Sequence, residues 1–275
     1  MNLPLEDLFN DVIAKSQRGL GLSDETLAQM TGVSVDALRD AKQGTVDEAV
    51  LRALAIPLQL HAESLIAMAK QAWLPAPVEL DGLAQFNTTW HDMTVNAYVL
   101  WDPATLQAVA FDTGATAKPM VDFIESKGLK LELLLLTHTH SDHIADINSL
   151  RTAGAKRVLV NEREPLDGAE SFSVGSETGW TVGSLRIQPR NTYGHSKGGT
   201  TFVVTGLGKP VAVVGDALFS SSMGGGMVSF ADALATNRKE IFPLADDTLV
   251  CPGHGPLTTI GEEKANNPFY PEFKA

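Results

Sequence analysis

The stretch Thr137-His138-Thr139-His140-Ser141-Asp142-His143 constrains this chain more than any other, because three of the protein's seven histidines fall within six residues. It follows Leu131 to Leu136, apolar at every position but Glu132, which reads as a strand buried on both faces. Side chains alternate along an extended chain, so His138 and His140 project to one side and Thr139 to the other. Two imidazoles on one side can hold one cation. Asp142 and His143 come after the chain has begun to turn and can face a second, neighbouring position. Neutral imidazole nitrogen with carboxylate oxygen suits zinc, with iron or manganese tolerated.

Three more residues of the same chemical type follow short apolar runs and stand beside glycine. His195 lies in Tyr193-Gly194-His195-Ser196, Asp216 follows Val211-Ala212-Val213-Val214-Gly215, and His254 follows Pro252-Gly253. Glycine lets the backbone turn sharply there and bring a side chain into a shared cavity. Active-site residues of α/β proteins gather at strand carboxyl ends. Of the seven histidines, only His61 and His91 stand outside this grouping, and His61 reads as a packing or surface residue.

Strand patterns cover Thr94 to Trp101, Ala108 to Phe111, Arg157 to Asn161, Trp180 to Val182, Leu185 to Pro189, Thr200 to Thr205, Pro210 to Val214 and Thr248 to Cys251. Helical patterns cover Met120 to Lys127, Ala145 to Thr152 and Ser229 to Glu240. This mixture predicts a layered α/β arrangement with sheets between helices. Cys251 sits in an apolar strand and reads as buried packing; a lone cysteine rules out an intrachain disulfide and fits a reducing cytoplasm.

Residues 1 to 74 are different: they read as helical throughout, and Pro75 and Pro77 mark a boundary to a second domain over 75 to 275. Ser23 and Ser34 can cap two helices joined at Gly32, a pattern similar to a helix-turn-helix of the phage-repressor type. Pro57 divides the next helical stretch, Glu48 to Trp73. DNA binding is tested by charge. Six Lys/Arg against ten Asp/Glu leave this segment at −4, and Asp36 and Asp40 offset Arg39 and Lys42 on the would-be recognition helix. A helical cap or a homodimerisation module is the stronger expectation. The formal charge of the whole chain, −12, argues the same way against nucleic acid or an anionic membrane as a general partner. The opening residues lack a basic segment followed by an apolar run, and no apolar run is long enough to span a bilayer, so a cytoplasmic location is expected.

The order of motifs resembles the metallo-β-lactamase-fold hydrolases, most closely the glyoxalase II-like branch, over roughly residues 80 to 268. The resemblance implies a four-layered αββα sandwich, here preceded by the small all-α domain. It implies that His138, His140 and His195 bind one divalent metal ion, that Asp142, His143 and His254 bind a second, and that Asp216 bridges them. Zinc is the first expectation for both. Aspartate at 216, where β-lactamases commonly have cysteine, argues against antibiotic hydrolysis. Asp112 matches a position that supports a ligand from behind, and reads equally well as a turn former. Tyr193, Met223, Trp90 and His91 are candidates for the pocket wall.

The chemistry agrees. Two cations about 3.5 to 4 Å apart lower the pKa of a shared water toward about 7 and present hydroxide to a carbonyl, oriented by Asp142 or Asp216. The expected function is a dinuclear metal-dependent hydrolase of a small thioester or related ester, of the hydroxyacylglutathione hydrolase type. A mononuclear iron persulfide dioxygenase, a lactonase and a DNA-binding regulator with a metal-bound sensor domain are the alternatives. Two features depart from larger glyoxalase II enzymes: a short tail of 21 residues after His254, and a glycine-rich loop after Asp216 without basic residues.

Overall fold

The computed structural model describes residues 3–175 and 177–274; Met1 and Asn2 of the expected helical segment, and Ala275, lie outside the described residues. Five helices come first: α1 (Phe9–Gly19), α2 (Asp24–Thr31), α3 (Val35–Lys42), α4 (Glu48–Ala55) and α5 (Ala62–Ala69). Their ends follow local chemistry. Ser23 and Ser34 accept hydrogen bonds from the backbone N–H groups of Thr26 and Ala37, and Gly32 closes α2 in the left-handed region at φ 71°. The expected break at Pro57 separates α4 from α5. His61 caps α5 by accepting from Ser64 N–H, while its own N–H bonds the Pro268 carbonyl.

The first sheet contains β1 (Leu83–Trp90), β2 (Met93–Trp101), β3 (Gln107–Phe111), β4 (Lys130–Leu135), β5 (Arg157–Asn161) and β6 (Glu170–Phe172), in that spatial order. It is antiparallel from β1 to β3 and parallel from β3 to β6. Interspersed are α6 (Lys118–Lys127), α7 (Ser141–Ile144) and α8 (Ile147–Thr152). The second sheet orders β12-β11-β10-β9-β8-β7, made of β7 (Trp180–Val182), β8 (Leu185–Asn191), β9 (Thr200–Thr205), β10 (Val211–Gly215), β11 (Leu249–Pro252) and β12 (Thr258–Thr259). Helices α9 (Phe230–Thr236) and α10 (Ile260–Asn266) complete it.

Strand alternation builds four layers. In β2, Tyr98 and Leu100 face the second sheet, where they meet Phe202, Val204, Val211 and Val213, whereas Ala97, Val99 and Trp101 face α6 and α8. In β10, Val211 and Val213 enter the intersheet core while Ala212 and Val214 face outward. That outer face packs against Val12 and Ile13 of α1, Leu54, Leu65, Phe230 and Ile260 in one continuous apolar cluster. The protein is thus an α/β chain of helix, sheet, sheet and helix layers, and the N-terminal helices share an apolar core with the second sheet.

Two expectations needed adjustment, and one strand had no sequence signal. The helix expected over Ala145 to Thr152 begins only at Ile147, behind the separate short helix α7, because the Asp146 carboxylate accepts from Ala117 N–H and Ser149 Oγ and holds its residue out of helical geometry. The helix from Ser229 continues after Thr236 as a wider π turn over Asn237–Ile241. Strand β1 carries little alternation in its sequence and owes its place to eight cross-strand pairs with β2. No helix among the described residues is long and apolar enough to cross a membrane.

Candidate metal centre

All seven residues singled out in the sequence arrive at one place, from the loops at the ends of four strands. β4 delivers His138 and His140, and α7 begins within the same stretch and carries Asp142 and His143. His195 lies between β8 and β9, Asp216 follows β10, and His254 follows β11. They form two groups: His138, His140, His195 and Asp216, then Asp142, His143 and His254, with ligand atoms in each group within 4.8 Å of one another.

In the first group, His140 Nδ1 stands 3.0 Å from both His138 Nε2 and His195 Nε2, and Asp216 Oδ2 is 3.3 Å from His195 Nε2. In the second, Asp142 Oδ2 is 3.6 Å from His143 Nε2 and 3.4 Å from His254 Nε2. Asp216 belongs to both: its Oδ1 lies 3.3 Å from His143 Nε2 and its Oδ2 lies 3.4 Å from His254 Nε2. Ligands about 2.0 to 2.1 Å from a tetrahedral zinc are spaced by about 3.4 Å, so these separations fit a metal.

Two buried atoms strengthen the fit. His143 Nε2 and Asp216 Oδ1 have no hydrogen-bond partner, although leaving such groups unmet costs about 1 to 3 kcal/mol each. A shared cation would satisfy both. The neighbouring glycines leave no room for anything larger: a Cβ on Gly253 would overlap Asp216 Oδ1, and one on Gly224 would overlap the Asp216 backbone oxygen.

The second ring nitrogens are tied down. His143 Nδ1 donates to Asp112 Oδ2 at 2.8 Å, His195 Nδ1 to the Gly225 carbonyl at 2.9 Å, and His254 Nδ1 to the Thr94 carbonyl at 2.6 Å. His138 Nδ1 is 3.0 Å from Thr137 Oγ1, which itself donates to Asp112 Oδ2. Each such bond leaves Nε2 aimed at the cluster. Asp112 therefore forms a turn, at φ 55°, and also supports His143. Asn96 Nδ2 and Tyr98 Oη hold the Pro252 carbonyl, which fixes the loop bearing His254.

Electrostatics divide the cluster. Burial and the neighbouring His143 keep His138 well below the usual histidine range, hence neutral; burial also lowers His195. Burial opposes charge on His143 and His254 too, but Asp216, with Asp112 or Asp142, outweighs it and raises them to about 10 and about 11. Asp216 is buried, yet His254 and His143 hold its carboxyl well below the carboxylate range. Three carboxylates, Asp112, Asp142 and Asp216, thus concentrate negative charge where cations would sit.

The pocket-wall candidates make contacts of their own. Met223 turns its side chain into the helix-packed core beside Tyr270. Tyr193 lies under the Arg163 guanidinium, and His91 stacks edge-on against Trp90 at the tip between β1 and β2. Cys251 is fully buried, as expected. Sequence reasoning missed Glu164, which bonds Thr139 and Gly198 N–H and so joins the loops of His140 and His195. It also missed Glu6, Asp7 and Lys15, whose relation to the cluster has no local sequence signal.

Comparison with known proteins agrees with this geometry. A probable metallo-hydrolase from Streptococcus pyogenes serotype M6 is 31% identical over 212 residues, 67% of this chain and 89% of the relative. Hydroxyacylglutathione hydrolase GloC from Haemophilus influenzae is 28% identical over 197 residues, 63% of this chain and 92% of the relative. Among solved structures, the BLEG-1 B3 metallo-beta-lactamase superposes with a TM-score of 0.58 at 29% identity, covering 68% of this chain and 98% of its own. The family model of the metallo-beta-lactamase superfamily matches residues 92–254, which take in all seven clustered residues. With its layered sheets and its paired histidine and aspartate groups, the chain belongs to the metallo-beta-lactamase superfamily.

Proposed function

We propose that this protein is a dinuclear metal-dependent hydrolase of a thioester or related ester, of the glyoxalase II-like kind. The observation that carries the two-metal reading is Asp216, whose carboxylate faces His143 through one oxygen and His195 and His254 through the other. His138, His140, His195 and Asp216 would hold one ion, and Asp142, His143, His254 and Asp216 the other. Zinc suits this set of imidazoles and carboxylates, and iron or manganese can replace it. Bound there, a metal pair supplies Lewis acidity and a water ionised near neutral pH.

The chain's own residues do the rest. Asp142 is half-buried and belongs to the second group through Oδ2, which leaves its other carboxylate oxygen to orient a water and accept its proton. His254 and His143, tied through Nδ1 to Thr94 and Asp112, stay fixed while charge shifts at the reacting carbonyl. A thiolate leaves readily, which fits a site where no general acid is needed. Similarity to a hydroxyacylglutathione hydrolase supports the thioester class.

A role in reading DNA has little support: Arg39 pairs with Asp36 at 2.9 Å and Lys42 with Asp24 at 2.8 Å, so the exposed helix α3 offers phosphate no unpaired cation. The experiment is a panel of thioester, lactone, persulfide and β-lactam substrates with metal-loaded protein. The proposal expects thioester hydrolysis to dominate and to fall at least about 100-fold in Asp216→Ala. Dominant β-lactam or persulfide turnover would overturn it.

A further inference from the structure

The N-terminal segment, which carries none of the clustered residues, lies directly behind the metal centre. A Cβ on Gly255, the residue after His254, would stand 3.1 Å from the Glu6 nitrogen, and Glu6 Oε2 is 4.0 Å from His254 Nδ1. Asp7, buried, accepts from both Ser222 Oγ and the Lys15 ammonium. Lys15 on α1 is itself only 15% exposed; it donates to the Met223 carbonyl at 2.9 Å, and its Nζ sits 5.2 Å from the centre of the Phe219 ring. Burying an ammonium is unfavourable unless it is paired and hydrogen-bonded. Here the pair and its bonds all converge on residues 219 to 223.

That segment reaches both halves of the centre. Phe219 meets the His254 ring edge-on at 5.6 Å. Gly224 packs so tightly that a Cβ would lie 2.9 Å from His195 Nδ1, and the next carbonyl, Gly225, accepts the His195 Nδ1 hydrogen. Displacing 219 to 225 would therefore shift the acceptor that orients His195 and the wall that backs His254. Asn267 Nδ2 holds the Ser222 carbonyl from the other side, so Lys15 and Asp7 act on a segment with little freedom to compensate.

We infer that Lys15 and Asp7 are positioning residues of the metal centre: through them helix α1 clamps residues 219 to 225 and so sets His195 and His254. The N-terminal helical layer is then part of the hydrolase's working structure. This rests on the metal-ligand reading proposed above and is independent of which acyl compound is cleaved.

The test is cobalt(II) titration of the full chain, followed by visible absorption and by competition with a chromophoric chelator. Lys15→Met and Asp7→Asn are compared with wild type and with Arg39→Met, an exposed control on α3. Loss of the clamp should weaken cobalt binding by about 10-fold and change the visible absorption, as for other residues that orient metal ligands. Arg39→Met should match wild type. If both variants keep a native circular dichroism spectrum together with wild-type cobalt affinity and absorption, the inference is overturned. Should Lys15→Met fail to fold, Asp7→Asn decides alone, because it removes the ion pair and keeps an acceptor for Ser222. Wild-type protein that takes up no cobalt would instead overturn the ligand reading beneath it.

Discussion

Asp112 shows how one side chain does two jobs. Its carboxylate accepts from Thr137 N–H and Thr137 Oγ1, each at 2.7 Å, and from His143 Nδ1, while its backbone sits at φ 55°. Asparagine tolerates that left-handed conformation, so Asp112→Asn changes the charge behind His143 without adding backbone strain. We expect the variant to fold normally and to bind zinc about 10 to 100-fold more weakly, measured by chelator competition. Cys251 marks the opposite case, a side chain with no chemistry. Burial pushes its thiol up from the ordinary cysteine range, so a thiol reagent should label it only after denaturation. At this scale the sequence was legible wherever a residue type has few uses. Clustered histidines and aspartates announce a metal, whereas Lys15 and Asp7 look like ordinary surface residues until the fold brings them beside residues 222 and 223.

Among the elements, α10 has a buried charge of its own. Glu263 is fully buried and accepts from Ser221 N–H, Asn267 Nδ2 and Thr258 Oγ1, yet burial raises its carboxyl to about 7. The folded protein then holds this proton more tightly than the unfolded chain. Its contribution is fully present below the unfolded pKa of 4.5 and is lost as pH rises through about 7, roughly 3 kcal/mol at most. Glu263→Gln mimics the protonated form. Urea unfolding should therefore show a flatter stability profile between pH 4.5 and 7 in the variant, and a variant at least as stable as wild type at pH 8. Elements with strong periodicity or caps, such as α2, α3 and β9, were readable from local sequence. The break at Asp146 was not, because its partner Ala117 lies 29 residues away, and β1 exists through its pairing with β2.

For the whole molecule, the αββα layering follows from strands whose alternate residues are both apolar, and those patterns were visible in the chain. What composition and prolines could not convey is that the helical segment and the outer face of the second sheet share one apolar cluster. Removing residues 1 to 74 should expose Ala212, Val214 and Val250 and produce a chain that binds an apolar fluorescent dye far more strongly than the full-length protein. Metal should stabilise the whole: ions that bind only the folded state at about 100 times their Kd add about 2.7 kcal/mol, so chelation should lower the melting temperature and added zinc should restore it. The central claim is that Asp216 joins two metal sites, and metal content per chain tests it most directly. We predict two ions bound in wild type and at most one in Asp216→Ala; a single ion in wild type, or two retained in the variant, would contradict the account.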